Sequence, residues 1–247
     1  MLFRSPPKSH RAIFVDSENK GETREYAEEV IGGFASRAFR RPVTAVELST
    51  FAAVWEESFR KSSDFSASIK DSLMVVLTSP QFLFLIENSQ TPKPEPLEGY
   101  ELASKLSYFL WNTAPDENLL QLAASGSLHE SLDSEMLRLL KDSRSWRFVR
   151  EFTSQWLSLE KFDVLEVDRK RFPRLTRDTR TQLREEPARF LRHLVRENLS
   201  LRNLVRSEFI VANEVVANYY RLSDRVESGF DFVAIRHDNE NLGGLLS

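Results

Sequence analysis

The stretch LASKLSYFLWNTAPDENLLQL, residues 102–122, decides the fold of this chain. Its first half repeats apolar residues at steps of three and four, which is the spacing of one helical face, and it ends at Trp111. Ala114-Pro115 then forms a turn. Asp116 and Glu117 open the second half, because short acidic side chains cap a helix N-terminus and favour the positive end of its dipole. The stretch therefore predicts two helices joined by a turn.

Helical spacing also dominates the rest of the chain, in which strand-like alternation is scarce and only 8 of 247 residues are glycine. We expect the Trp and Phe stripes at this spacing, with Trp55, Trp111, Trp146 and Trp156, to pack in the core. A partly exposed Trp111 beside the turn would be the exception. The predicted fold class is all-α, with two packed helical subdomains joined by a proline-rich linker. Residues 232–235 are a possible strand.

Local signals place several helix ends. Thr44 and Glu47 have the spacing of a capping box, in which a hydroxyl and a carboxylate three residues apart satisfy each other's backbone N–H groups. Pro80 suits the first turn of a short helix over residues 81–87, since proline lacks only an N–H that has no partner there. These signals predict where the N-terminal helices begin.

Composition along the chain predicts five segments. The polar, proline-rich run SQTPKPEP reads as an extended linker and sets the domain boundary. The segments are an N-terminal extension over residues 1–21, a small helical domain over 22–88, the linker over 89–96, a larger helical domain over 97–222, and a C-terminal segment over 223–247 that starts a further, truncated domain.

The composition is that of a folded protein and excludes several kinds of site. The formal net charge is only −3, which argues against a dedicated nucleic-acid binder. There is no cysteine, so disulfides, thiolate zinc sites and covalent c-type haem attachment are excluded within these residues. No window approaches ~18 consecutive apolar residues, and the N-terminal residues carry no signal peptide. We therefore expect no transmembrane segment.

The histidines are not spaced as metal ligands, because none lies four residues from another. They are His10, His129, His193 and His237. His193 lies beside the apolar face of its helix, and we interpret it as a surface or interface residue. Gly32-Gly33 and Gly243-Gly244 lack the context of a phosphate loop. The sequence therefore predicts neither a metal nor a cofactor in this chain, and it identifies no catalytic residue.

Paired carboxylates are the remaining candidates for acid–base chemistry. Glu185 and Glu186 precede Pro187, which kinks or marks the true start of a helix capped by Thr176 or Asp178. We expect them to lie on a solvated face among arginines. Two carboxyls ~5–10 Å apart across a cleft would instead support glycoside chemistry. The candidate acids are Asp116, Glu117, Glu185 and Glu186.

A basic cluster surrounds Phe172 and could bind phosphate or an acidic partner. Its cations are Arg169, Lys170, Arg171, Arg174, Arg177 and Arg180. Acidic residues such as Asp163 and Asp178 interleave with them, so the local charge is largely offset. A solvated loop whose charges pair with one another is the favoured interpretation.

Several long strings resemble a family of large multi-domain proteins of planctomycete-type bacteria, built from numbered domains of unknown function. FASRAFRRPVTAVEL (34–48) and SLMVVLTSPQFLFLIE (72–87) resemble the domain numbered fifteen-ninety-five. The strings that resemble the domain numbered fifteen-ninety-two are YELASKLSYFLWNTAPDENLLQLAASGSL (100–128), FTSQWLSL (152–159), LREEPARFLRHLVREN (183–198) and residues 213–220. The final LGGLLS (242–247) resembles the opening of the domain numbered fifteen-eighty-eight.

The resemblance implies little chemistry. Relatives are typically exported and often carry a c-type haem domain, sometimes with a carbohydrate-binding module, but their helical domains have no established catalytic residues. This chain lacks a Cys-x-x-Cys-His motif and has Asp16 where relatives often have cysteine, which suggests a fragment.

Two functions remain open from the sequence. The first is a non-catalytic interaction or scaffold module of a cell-envelope protein, associated with a haem- or carbohydrate-binding partner. Its partner would be an unknown protein or missing domains of the same polypeptide. The second is part of a redox or polysaccharide-acting enzyme whose cofactor domain is absent from this chain.

Overall fold

The computed structural model of the chain describes residues 8–87, 93–168, 170–226, 229–239 and 242–246. Within them the chain is mostly helical, as predicted, but it also contains one two-stranded sheet. The α-helices are α1 (Lys8–Ile13), α2 (Arg24–Phe39), α3 (Ala45–Ser62), α4 (Phe65–Thr78), α5 (Pro80–Leu83), α6 (Gly99–Trp111), α7 (Glu117–Ala124), α8 (Leu132–Lys141), α9 (Trp146–Trp156), α10 (Glu160–Val164), α11 (Arg177–Arg196) and α12 (Glu214–Tyr219). The strands are β1 (Phe209–Ala212) and β2 (Val233–Arg236).

The chain divides into two compact units, each of which is described by itself. The first unit contains Met1–Tyr108 and Ala114–Leu132, and the second contains Phe109–Thr113 and Asp133–Ser247. Of the predicted linker, residues 89–92 lie outside the described part of the chain. The linker and the bounds of the five predicted segments stay predictions.

Helices α2, α3 and α4 form the core of the first unit. The predicted capping box starts α3: the Glu47 N–H donates to the Thr44 hydroxyl at 3.2 Å, and the Thr44 N–H donates to the Glu47 carboxylate at 2.8 Å. The Arg41 guanidinium, together with the N–H and the hydroxyl of Thr44, which both donate to the Glu47 carboxylate, lowers the pKa of Glu47 to about 2. The buried side chains of this core are Tyr26, Ala27, Val30, Ile31, Ala35, Phe39, Phe51, Trp55, Phe65, Ile69, Leu73 and Val76.

The short helix after α4 is shorter than predicted. The helix spans only Pro80–Leu83, and Phe84 has an extended backbone with φ −122° and ψ 153°. The prediction of a helix over residues 81–87 is therefore wrong. The carbonyls at this turn take their hydrogen bonds from the guanidinium of Arg40, which is the C-cap residue of α2. Its acceptors are the carbonyls of Gln81, Phe82 and Phe84, at 2.7, 3.3 and 3.0 Å.

The structure contains the helix cap that was predicted within residues 102–122. The Asp116 carboxylate accepts the Leu119 N–H at 3.1 Å and caps α7. Gly126 follows α7 with a φ of +74°, a conformation that glycine adopts without a steric cost. The start of α6 lies against the end of α7 so closely that a Cβ on Gly99 would lie 3.0 Å from the Ala123 carbonyl oxygen. The small residue at this position therefore allows the two helix ends to meet.

In the second unit, α9 packs on α11, the longest helix. Thr176 rather than Asp178 is the N-cap of α11, since its hydroxyl accepts the Thr179 N–H at 3.2 Å. Pro187 lies inside the helix and does not mark its start. The buried side chains of α11 are Thr179, Ala188, Phe190, Leu191 and Leu194.

An antiparallel pair of strands joins this helical layer, so the all-α prediction misses one element. Phe209 pairs with Arg236, and Ala212 pairs with Val233. The possible strand at residues 232–235 corresponds to β2. Its partner β1 was not predicted, because four residues of FIVA are too few to show a period. In the described part of the chain, no helix is long and apolar enough to cross a membrane.

Candidate functional site

The two glutamates of α11 lie in different surroundings. Glu185 pairs with Arg189 one turn further on, with 3.5 Å between carboxylate and guanidinium, and it lines a cavity of about 270 Å³. Glu186 is partly buried, and its Oε2 accepts a hydrogen bond from the Tyr220 hydroxyl of the α12 C-terminus at 2.8 Å. A solvated face, as predicted for both, therefore describes Glu185 and not Glu186.

Burial changes the pKa values of the two groups in the Glu186–Tyr220 hydrogen bond. It raises the pKa of the Glu186 carboxyl to about 7, and the hydrogen bond from Tyr220 opposes part of that rise. Burial and the neighbouring carboxylate also raise the pKa of the Tyr220 hydroxyl. One turn earlier, Asn213 donates to the Gln182 side chain at 2.8 Å. Together the two contacts (Gln182–Asn213 and Glu186–Tyr220) join α11 to the two ends of α12, whose N-cap is Asn213 and whose C-cap is Tyr220.

The other pair of candidate acids serves its own helix. Asp116 caps α7, and the Glu117 carboxylate is exposed and accepts the Gln121 side-chain N–H at 3.2 Å. Both residues belong to the first unit. The capping interpretation of Asp116 is confirmed, and Glu117 adds an acidic group to the first turn.

The histidines lie apart in four surroundings. His10 stacks on Phe14, and His129 is exposed. The His193 ring meets the Phe209 ring edge-on, with 5.4 Å between centroids, as an interface residue does. His237 is buried, which lowers its pKa. Among the described residues, no group of three or more His, Asp or Glu side chains could hold a metal ion.

Two arginines of the basic cluster already donate hydrogen bonds to backbone carbonyls of this chain. Arg169 lies outside the described residues. Arg174 and Arg180 donate to the carbonyl oxygens of Asn218 and Asp163, at 3.4 and 3.3 Å. The exposed cations are Lys170, Arg171, Arg174 and Arg177. A cavity of about 520 Å³ is lined here by Arg177, Arg180 and Asp163, so its charge is mixed.

Four touching rings of the second unit form an exposed aromatic stripe, defined as Phe109, Phe148, Phe152 and Trp156. The centroid distances along the row are 4.8, 5.8 and 5.7 Å. Phe109, Phe152 and Trp156 are 66%, 45% and 42% exposed. The stripe is therefore a continuous apolar surface that lies at the end of α6 and along one face of α9.

The sequence prediction that these rings pack in the core is wrong for Phe152 and Trp156. On α9 the buried residues are Val149 and Thr153, whereas the aromatic residues recur at positions 148, 152 and 156 on a neighbouring face. The four-residue spacing of three aromatic rings was the available signal. It could not be separated from a core stripe, because both follow the same helical period.

Two family models match the chain. The one described as PSD4, protein of unknown function (DUF1592), matches residues 97–222, just over half of the chain. The one described as PSD5, protein of unknown function (DUF1595), matches residues 26–87. The resemblance to these two numbered domains is confirmed, while its planctomycete, haem and third-domain associations stay predictions. No curated protein and no solved structure matches the chain.

Proposed function

Because the chain belongs to the DUF1592 family of proteins of unknown function, we propose that it is a helical interaction module whose binding surface is the aromatic stripe. One observation carries the proposal: four side chains from α6 and α9 place their rings in an exposed, touching row. Contiguous exposed apolar surface on a soluble domain marks an interaction site. The proposed function uses only side chains of this chain and needs no cofactor.

The stripe has the size of the centre of a protein interface. Phe148 and Trp156 lie two helical turns apart, which is ~12 Å along the axis. The exposed fractions of the three most accessible rings amount to roughly 300 Å² of aromatic surface. A standard interface buries ~800 Å² on each partner, and a few aromatic anchors at its centre supply most of the binding energy. The stripe therefore suits one apolar face of a partner helix about two turns long.

The geometry of the rings favours a protein partner. Neighbouring rings along α9 are inclined by only 28° and cover part of one another's faces. A sugar or a nucleobase stacks on a free, flat ring face, whereas aliphatic side chains pack against ring edges as well. The net charge of −3 also disfavours nucleic acid. That the partner is a haem- or carbohydrate-binding protein follows from the resemblance alone and stays a prediction.

Photo-crosslinking tests the proposed surface. A benzophenone amino acid at position 152 of the full-length protein, expressed in its own cells, should form an adduct with one defined protein segment. Mass spectrometry should place that segment on an apolar helix. The matched control carries the same group in place of Arg147, which is exposed on the same helix but lies outside the stripe.

A double variant, Phe152→Ser with Trp156→Ser, complements the crosslink. It should keep the helical circular dichroism of the wild type, since both side chains are largely exposed, and it should lose at least about ten-fold in affinity for the identified segment. Equal crosslinking from positions 147 and 152 would contradict the proposal. Binding of oligosaccharides that is lost in the double variant would do the same.

A further inference from the structure

A second aromatic group, separate from the stripe, holds two arginines of α11. Trp146 begins α9, and the Arg189 guanidinium carbon lies 4.3 Å from its ring centroid. Arg192 lies 5.3 Å from the same centroid. Phe232 lies on Arg189 as well, at 5.3 Å, so that guanidinium contacts two rings. Aromatic contacts of this kind attract cations and restrict their motion.

The positive charge of this cluster is not balanced by its neighbours. Within the described part of the chain, the charged groups that act on Arg192 are Arg196 and Arg189. Burial, followed by the repulsion from these two arginines, lowers the pKa of Arg192. Glu185 is 3.5 Å from Arg189 and pairs with it. Three guanidinium groups and one carboxylate leave a local net charge of +2 at neutral pH.

The cluster also contains an N–H donor that has no acceptor among the described residues. The buried Nε of Arg189 has no hydrogen-bond partner among the described residues. Arg192 is partly buried and Arg196 is exposed, so the cluster is open to solvent on one side. A ring contact uses the flat face of a guanidinium and leaves its N–H groups free at the edge, where they bind oxyanions in a bidentate fashion.

We propose that Arg189 and Arg192, held over the Trp146 ring, bind the phosphate group of an anionic ligand. A phosphate dianion matches the net charge of the cluster, whereas a single carboxylate offsets only half of it. Its oxygens accept hydrogen bonds from two guanidinium groups at once. Binding of phosphate relieves the repulsion among the arginines. Among the described residues, no acidic group is recorded as acting on Arg192. The proposal does not depend on the aromatic stripe.

Titration with inorganic phosphate tests the site in the full chain. Isothermal calorimetry at pH about 7.5, with ionic strength held constant by sodium chloride, should show saturable binding to the wild type. Arg192→Gln should weaken this binding at least about ten-fold. Arg206→Gln is the matched control, because it removes the same charge from an exposed position of the second unit that belongs to neither of the two arginine clusters, and it should bind like the wild type.

The conservative variant Arg192→Lys separates binding from folding. It keeps the positive charge but loses the planar guanidinium that binds two oxygens at once. Its affinity for phosphate should therefore fall by about three- to ten-fold at an unchanged melting temperature. If Arg192→Gln does not fold, this variant alone decides. Equal affinity for phosphate in the wild type and in the Arg192 variants would overturn the proposal and would indicate adventitious ion binding only.

Vesicles distinguish the source of the phosphate. Cosedimentation with phosphatidylcholine vesicles that contain phosphatidic acid, compared with phosphatidylcholine alone, tests a lipid headgroup. Retention that is lost in Arg192→Gln, weakened in Arg192→Lys and displaced by free phosphate would assign the site to lipid. Saturable binding of free phosphate without retention on vesicles would assign it to a soluble ligand. If neither free phosphate nor the phosphatidic acid vesicles bind, the proposed phosphate site is wrong.

Discussion

Trp111 shows how burial decides the role of a single aromatic residue. The sequence left open a partly exposed ring beside the Pro115 turn, but the side chain is completely buried. Its indole N–H donates to the Leu139 carbonyl at 2.9 Å, and the Arg144 guanidinium lies 3.4 Å from the ring centroid. Most buried indole N–H groups have such a polar partner. Trp111 is therefore a core residue of the second unit, and the exposed rings lie elsewhere.

Glu186 allows a prediction about pH. Its pKa of about 7 in the folded chain exceeds the ordinary value of 4.5, so the neutral carboxyl stabilises the fold fully below pH 4.5, and this contribution is lost as the pH rises through about 7. Between these values the free energy of unfolding of the wild type should fall by about 1–3 kcal/mol. Glu186→Gln should remove this decrease. Urea denaturation followed by circular dichroism, at several pH values from about 4.5 to 8, measures it.

Glu185→Gln is the control for this prediction. Glu185 lies one residue away and pairs with Arg189 near the surface, so its variant should keep the pH dependence of the wild type. The difference between the wild type and each variant, taken at each pH, cancels the titration of all other groups. An unchanged pH profile in Glu186→Gln would show that the folded chain does not raise the pKa of this carboxyl.

Among the elements, α5 depends on a side chain from another helix. Arg40 ends α2 in a left-handed conformation, with a φ of 61°, and its guanidinium reaches backbone carbonyls more than forty residues away. The residues that follow α5 are apolar and exposed: Phe84, Leu85 and Ile86 are 63%, 48% and 46% exposed. The hydrogen bonds of Arg40 therefore tie the backbone of α5 and of Phe84 to the end of α2.

Arg40→Ala should therefore loosen α5 and the extended residues after it. We expect a loss of about 2 kcal/mol in local stability, since the hydrogen bonds of a charged donor are removed together. Chymotrypsin should cleave after Phe82 or Phe84 at least about ten-fold faster than in the wild type. Mass spectrometry of the first fragments gives the rate. Arg60→Ala, which removes only an exposed ion pair with Glu57, should leave that rate unchanged.

At the scale of the whole molecule, residues distant in sequence complete the second unit. The C-terminal residues lie against the loop before β1, where the Leu245 and Leu246 N–H groups donate to the Leu204 carbonyl at 2.8 and 2.9 Å. Gly243 makes this approach possible. Its φ is +114°, and a Cβ there would overlap the Ser207 carbonyl oxygen. The Gly243-Gly244 pair therefore serves close backbone packing.

Gly243→Ala should displace this C-terminal segment. The methyl group needs both a shift of the backbone and a conformation that is strained for alanine, at a cost of about 1–3 kcal/mol. Amide hydrogen exchange at Leu245 and Leu246 should become at least about ten-fold faster. Gly33→Ala is the control, since a Cβ on Gly33 meets nothing closer than 3.9 Å within α2, and exchange at the two leucines should not change.

Local patterns predicted the helices well because helix ends are encoded by a few adjacent residues. The Thr44 capping box and the Asp116 cap both form as predicted. The candidate site was less accessible to the same reasoning. Phe152 and Trp156 follow the spacing of a core stripe, and Glu186 resembles its neighbour Glu185 until the position of Tyr220 is known.

Local sequence patterns suffice to show that this chain is helical, where its main helices begin, and to which family it belongs, because each depends on residues close together in the chain. Only the assembled fold shows that β1 pairs with β2, that Glu186 meets Tyr220, and that Phe152 and Trp156 of α9 face solvent. Pairing and burial depend on what approaches from elsewhere in the chain. A periodic pattern reports that a face is apolar, but not what covers it.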